Sequence, residues 1–195
     1  MTEIASLIEQ EVAAIKNIPN SNEYSKALKL LEKANKLVIT GMGKAGHIGI
    51  NMATTFCSTG SPSVFLHPSE SQHGDLGILQ TGDVVVAISN SGKTKEVIEL
   101  IHLTKNLIKE TPIIVITGNT NSELAHLADV VLHTGGSPEI CPLGLTPTTS
   151  TTCMTVIGDV LVVELMKRIK FTKKDYSKRH HSGYLGEKSR AESNE

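Results

Sequence analysis

The chain of 195 residues has no Trp and only three Phe and three Tyr. Aromatic platforms on which nucleobases could stack are therefore scarce. It also lacks an excess of charge of either sign: 19 Lys and Arg stand against 20 Asp and Glu, a formal net charge of −1, with the signs interspersed. Without a broad basic field to meet a phosphate backbone, a nucleic-acid partner is disfavoured. No run of ~18 apolar residues occurs. The start, Met1-Thr2-Glu3-Ile4, is not a basic region leading into an apolar core and a small-residue cleavage site. The expectation is a cytoplasmic protein with no membrane partner. Cys57, Cys141 and Cys153 are odd in number, far apart and without metal-ligand spacing. They are expected to be reduced, buried thiols without a chemical role.

What is present suits one α/β domain. Single cores typically run to roughly 100–200 residues, so no second folding unit is left over. The apolar residues are mostly small or aliphatic, as in a Val/Ile-rich parallel sheet buried on both faces. Residues 1–36 read as two helices packing on the domain. Ile4, Leu7, Ile8, Val12 and Ile15 recur at helical spacing, Pro19-Asn20-Ser21-Asn22 interrupts, and Ala27, Leu28, Leu31 and Ala34 mark the second. Three strand–turn–helix units follow. Leu37-Val38-Ile39-Thr40 leads into Gly41-Met42-Gly43-Lys44-Ala45-Gly46, Val84–Ile88 into Ser89-Asn90-Ser91-Gly92-Lys93-Thr94, and Ile113–Ile116 into Thr117–Ser122. Short strands are expected near Val64-Phe65-Leu66 and Val130-Val131-Leu132, and a long apolar helix from Thr149 to about Arg168. Right-handed crossovers place the polar turns together along the carboxyl edge of the sheet. Residues 187–195 are expected to be a disordered tail, frayed from about Arg190.

The first turn matches G-x-G-x-x-G, a dinucleotide fingerprint. The second strand, however, ends Leu66-His67-Pro68 and offers no carboxylate for ribose hydroxyls. The second turn is more informative: Ser89, Ser91 and Thr94 set hydroxyls beside the N–H groups of a helix start, and Gly92 permits close approach, which suits a phosphate monoester. Ser150, Thr151 and Thr152 form a similar cluster at another helix start; ordinary capping explains either cluster alone. Lys44 opposes the macrodipole at the start of its helix unless an anion is nearby. Glu96, Glu139, His73, His180 and Lys44 supply the base, proton carrier and cation that an aldose–ketose isomerisation needs. Spacing alone leaves their roles open. Glu96 in a first helical turn could merely complement the dipole, His73 could cap a turn and His180 could belong to a solvated tail, whereas Glu139 lies in a loop with no evident structural role.

GMGKAGHIG, STGSP, HPSESQHGDLG, AISNSGKTKE, CPLGLTPTTSTT and HHSGYLG occur in that order between Leu37 and Gly186. This series resembles the sugar-isomerase, or SIS, domain of arabinose-5-phosphate isomerases. The resemblance places the domain at residues 37–186. It implies a flavodoxin-like three-layer α/β/α sandwich on a five-stranded parallel sheet, assembled as a homotetramer, and interconversion of D-ribulose 5-phosphate and D-arabinose 5-phosphate for the synthesis of 3-deoxy-D-manno-octulosonate (Kdo). It carries the family's essential Lys onto Lys44, its two Glu onto Glu96 and Glu139, its essential His onto His180 and the His of HGDLG onto His73. The phosphate-binding elements fall on Gly43, Ser89, Asn90, Ser91, Thr94 and Ser150–Thr152. Glu139 is the preferred carbon base, Glu96 the competing base or orienter, and His180, acting in its own or a neighbouring subunit, a proton carrier. No metal or redox cofactor is implied, although histidines beside an anion site could trap inhibitory zinc.

Two departures stand out. Longer members carry a pair of cystathionine-β-synthase-type regulatory domains, and this chain stops soon after Gly186, which implies loss of control through that pair; feedback by the cytidylylated eight-carbon sugar, CMP-Kdo, is the regulatory alternative. The familiar HPGGALG reads His180-His181-Ser182-Gly183-Tyr184-Leu185-Gly186, and Lys93 stands where Glu is common. Another SIS phosphosugar isomerase and a noncatalytic sugar-phosphate-binding regulator are the competing readings.

Overall fold

The computed structural model describes residues 2–192. The chain passes through helices α1 (Glu3–Lys16) and α2 (Tyr24–Lys33), strand β1 (Leu37–Gly41), α3 (Gly43–Ser58), β2 (Ser63–Phe65), the single turn α4 (Pro68–Ser71) and a 3-10 turn, Asp75–Ile78. It continues through β3 (Val84–Ile88), α5 (Lys95–Leu107), β4 (Ile113–Thr117), α6 (Glu123–His126), β5 (Val130–His133), α7 (Thr149–Arg168), α8 (Lys173–Ser177) and α9 (Gly183–Glu192). The strands form one parallel sheet in the order β2-β1-β3-β4-β5.

Every residue of β1, β3 and β4 is buried, because helices cover both faces of a parallel sheet. Alternate side chains feed two cores. Leu37, Ile39, Val86 and Ile116 pack with α2, α3 and α7, whereas Val38, Val85 and Val115 pack with α5 and α6. The expected three-layer sandwich is borne out. Helix α7, 20 residues long and apolar enough by composition to cross a membrane, is instead a core helix: Met154, Ile157, Leu161 and Leu165 are buried against the sheet and its companion helices. Helix α1 forms as its periodicity predicts, yet only Ala14 is buried. Ile4, at 71 % exposure, and Ile8, at 57 %, face outward with Leu7 and Val12.

The first turn depends on glycine for a mechanical reason. A Cβ on Gly46 would stand 2.7 Å from the Gly41 carbonyl oxygen, so α3 can lie this close to β1 only without a side chain there. The expected disordered tail is corrected in part: residues 187–192 complete α9. Ser189 is buried, Lys173 and Lys188 pair with Glu192, and Arg190 donates to the carbonyls of His180 and His181. Those contacts hold a segment whose composition alone would not pack. Residues 193–195 lie outside the described residues.

Candidate active site

The strand order reverses between β1 and β3, and there the turns at their carboxyl ends diverge. A cleft of about 360 Å³ opens at this point, within the range of small-ligand sites. Lys44, Ser89, Asn90, Ser91, Thr94, Glu139, Ser150 and Thr151 line it, above an apolar floor that includes Ile88 and Met154.

The first wall is the turn after β3. Its carbonyl oxygens, which would repel an anion, are drawn toward the turn after β4. The Asn90 oxygen accepts from the Gly118 N–H at 3.0 Å and Thr117 Oγ1 at 3.2 Å, the Ser91 oxygen from Asn119 Nδ2 at 3.4 Å, and the Gly92 oxygen from the Leu124 N–H at 3.2 Å. The Ser89 and Thr94 hydroxyls lie 2.9 Å apart. Thr94 precedes α5 without capping it by a side-chain bond, leaving the helix's first N–H groups for a ligand. Gly92 holds this shape at a φ of 63°, and a Cβ there would collide with Ser122 Oγ. Gly92→Ala is therefore expected to cost about 1–3 kcal/mol, measurable by urea denaturation.

The second wall is the start of α3. Gly43 opens the helix at a φ of 58°, Met42 supplies no side-chain cap, and exposed Lys44 occupies the first turn. None of the ion pairs among the described residues includes Lys44. A cation at this end of a helix gains nothing from the macrodipole, so its charge is available to a ligand.

The third wall corrects two expectations. Glu139 does have a structural role, because its Oε2 accepts from the Thr148 N–H at 2.7 Å, Thr148 Oγ1 at 3.0 Å and the Ser150 N–H at 3.2 Å, closing the N-terminus of α7. Burial raises its pKa, but the nearby Ser150 hydroxyl and the Thr148 and Ser150 donors outweigh that and hold it below the usual carboxylate value. The start of α7 is thus occupied by a side chain of the protein. Thr151 and Thr152 turn their hydroxyls back to the Thr148 carbonyl at 2.7 and 3.2 Å, and Thr152 does not line the cleft. Ser150 Oγ is buried in the lining near the Glu139 carboxylate, whose ionised form it favours, without meeting it in good hydrogen-bond geometry. In the Ser89–Thr94 turn the Ser89 and Ser91 hydroxyl oxygens accept from the Gly92 and Lys93 N–H groups, each at 3.2 Å, and the start of α5, which no side chain caps, is where donors are left for an anion.

Three expected catalytic residues stay outside the lining, as do Gly43 and Thr152 of the expected phosphate-binding set. Glu96 is half-buried in the first turn of α5. His73 is exposed after α4. His180 stacks on Tyr176 with ring centroids 3.6 Å apart, and its Nδ1 lies 3.1 Å from the Tyr176 carbonyl oxygen. Sequence reasoning missed the apolar lining residues Met42 and Met154 and the exposed loop residues Leu145 and Pro147, which carry no signal beyond their apolar character. It also missed Thr148, whose signal was a Thr at the helix boundary.

The expectation of three buried thiols holds only for Cys153. Cys57 is exposed and Cys141 is part-exposed. The Thr146 hydroxyl and N–H, with the N–H groups of Leu143 and Leu145, lower the Cys141 thiol to about 6. Burial and the charges of Glu11 and Glu139 push Cys153 up. At pH 7, iodoacetamide is expected to label Cys141 well before Cys153, a difference readable by peptide mass spectrometry.

These walls define a doubly wound α/β domain with an anion cradle, a cation and a carboxylate at its switch point. The family model described as SIS domain matches residues 30–164, and the chain belongs to that family, as its motifs indicated. It is similar to the arabinose 5-phosphate isomerase KdsD of Shigella flexneri, 46% identical over 186 residues, covering 95% of this chain and 56% of that protein. The chain thus spans about half the length of the curated relatives it matches. Among solved structures, a Bacteroides fragilis NCTC 9343 protein assigned as a phosphosugar isomerase involved in capsule formation is 59% identical, with a TM-score of 0.91, covering 93% of this chain and 97% of that one. An Escherichia coli CFT073 protein in complex with A5P is 34% identical, with a TM-score of 0.85, covering 92% of this chain and all of that one.

Proposed function

We propose that this domain interconverts D-arabinose 5-phosphate and D-ribulose 5-phosphate through an enediolate, supplying Kdo synthesis. The observation that carries this reading is the convergence of Lys44, the Ser89–Thr94 cradle and Glu139 on one cleft. The cradle takes the phosphate, and the Lys44 ammonium polarises the carbonyl and stabilises the developing oxyanion. Glu139 moves the proton between C1 and C2; its three hydrogen bonds all fall on Oε2, leaving Oε1 for the substrate. The similarity to arabinose 5-phosphate isomerases over nearly the whole chain supports this choice of sugar.

Several parts of the reading concern more than one copy of the chain. We assign His180 to the cleft of a neighbouring subunit in a homotetramer, where it carries protons between O1 and O2, with His73 in support and Glu96 orienting. The outward apolar stripe Ile4, Leu7, Ile8 and Val12, with Val160 and Val163 of α7, is the face another copy would cover. The reaction needs no redox cofactor or metal. Among the described residues no group of three or more His, Cys, Asp and Glu could hold a metal, so inhibitory zinc would be bound by imidazoles of different copies. CMP-Kdo is the proposed feedback ligand, and the cytoplasm the proposed compartment.

A discontinuous assay offering ribulose 5-phosphate, arabinose 5-phosphate, hexose phosphates and sedoheptulose 7-phosphate tests the proposal. Equilibration of the two pentose phosphates is expected. Turnover of a different sugar pair moves the reading to another phosphosugar isomerase, and binding without turnover reduces the domain to a sugar-phosphate-binding regulator.

A further inference from the structure

Glu11 is a carboxylate that the isomerase reading leaves unused. It lies within α1, remote from the cleft in sequence, yet its Oε1 accepts the Thr149 hydroxyl at 2.9 Å. Its Oε2 is buried without a hydrogen-bond partner, and no ion pair among the described residues includes it. A carboxylate desolvated on one side and bonded once is a costly way to pack one helix on another; an apolar side chain would do so with a smaller desolvation penalty. The N-terminus of α7 offsets part of that cost. The remainder points to a role other than stability.

That role is visible in what Thr149 does next. Thr149 is 1 % exposed, and its Oγ1 accepts the N–H of Ile140 at 3.1 Å. A hydroxyl has one proton to give. An ionised carboxylate can only accept, so Glu11 takes that proton and turns the Thr149 lone pairs to Ile140. Ile140 follows Glu139 directly, and the Glu139 carboxylate is bonded to Thr148 and Ser150, the residues on either side of Thr149. One hydroxyl therefore ties the loop that carries the proposed base to the helix end that holds its carboxylate, and Glu11 sets the direction of that hydroxyl.

We infer that Glu11 is a positioning residue for Glu139, acting through the Thr149 hydroxyl and the Ile140 N–H. The inference deepens the isomerase reading and rests on it for its kinetic consequence. Glu11→Ala is expected to lower kcat by about 10-fold or more while KM for the pentose phosphate stays within about 2-fold, because the Ser89–Thr94 cradle is untouched. Glu11→Gln keeps an acceptor and is expected to return kcat to within about 3-fold of the unmodified protein. Thr149→Val is expected to reproduce the Glu11→Ala defect, and the double variant to be no slower than the slower single one. Unchanged kcat in Glu11→Ala, a Glu11→Gln variant as slow as Glu11→Ala, or additive losses each overturn the inference.

Amide hydrogen exchange of Ile140, followed by NMR on the full chain, separates this inference from the isomerase reading. Exchange is expected to accelerate about 10-fold in Glu11→Ala and Thr149→Val, but not in Glu11→Gln, with the Ser89–Thr94 amides unaffected. This holds whether or not any sugar phosphate turns over. Exchange at Ile140 that does not respond to Glu11→Ala refutes the positioning role even in an active isomerase; a protein that turns over no sugar but shows the predicted exchange pattern refutes only the isomerase reading.

Discussion

Glu139→Gln lowers kcat by roughly 10²–10⁴-fold, the usual worth of a general base, and leaves KM nearly unchanged. The substitution isolates chemistry from architecture because the amide oxygen can take the place of Oε2 before Thr148 and Ser150, while the group facing the substrate loses its basicity. The phosphate cradle, on a different loop, keeps its affinity. Steady-state kinetics on the two pentose phosphates provides the measurement; a kcat within about 3-fold of the unmodified protein would transfer the proposed role to Glu96. The pH behaviour follows from the sign of the shift. The folded pKa of Glu139 is lowered, so its contribution to stability is present above the unfolded carboxylate value of about 4.3 and is lost as pH falls through the folded value. Glu139→Gln removes that dependence. The acid limb of kcat/KM correspondingly lies below the ordinary carboxylate range in the unmodified protein.

A carboxylate with a lowered pKa is a weak base for a carbon acid, which shifts the burden of catalysis to whatever stabilises the enediolate. Lys44→Met is therefore the second large effect: kcat/KM falls by roughly 10²–10³-fold, the scale of a lost oxyanion donor. Thermal stability moves the other way. A cation in the first turn of α3 opposes the helix dipole, so its removal leaves the melting temperature unchanged or raises it, by an energy of about 0.3–1 kcal/mol. An activity loss joined to a stability gain separates a functional lysine from a structural one, and calorimetry beside the kinetic assay reads both. A large drop in melting temperature would instead mark Lys44 as part of the packing.

The strands were legible because they carry no ambiguity of face. Val84–Ile88 is apolar throughout, buried on both sides and bounded by polar turns, and its expected limits match the observed ones. β2 begins and ends one residue before the expected Val64–Leu66, as befits a three-residue edge strand paired on one side only. The capping box of α8, Thr172 with Asp175, is a readable signal, but the lysines around it mask it with charge. Helix α9 has no such signal, since its support comes from Lys173 and from carbonyls at 180 and 181. In the site, the hydroxyl-rich turn at 89–94 is evident from local spacing. Glu139 at the end of α7 is not: its donors lie 9 and 11 residues away across an irregular loop, a distance with no periodic signature. Glu11 is less visible still, reading as one polar position on an amphipathic helix.

The two cores give the cleft a mechanical character. Lys44 rides on α3, in the layer shared with α7 and Glu139, whereas the phosphate cradle begins α5 in the opposite layer. The sheet between them is bound by its own ladder. A substitution in one core therefore bears directly on the ammonium or on the cradle, not on both.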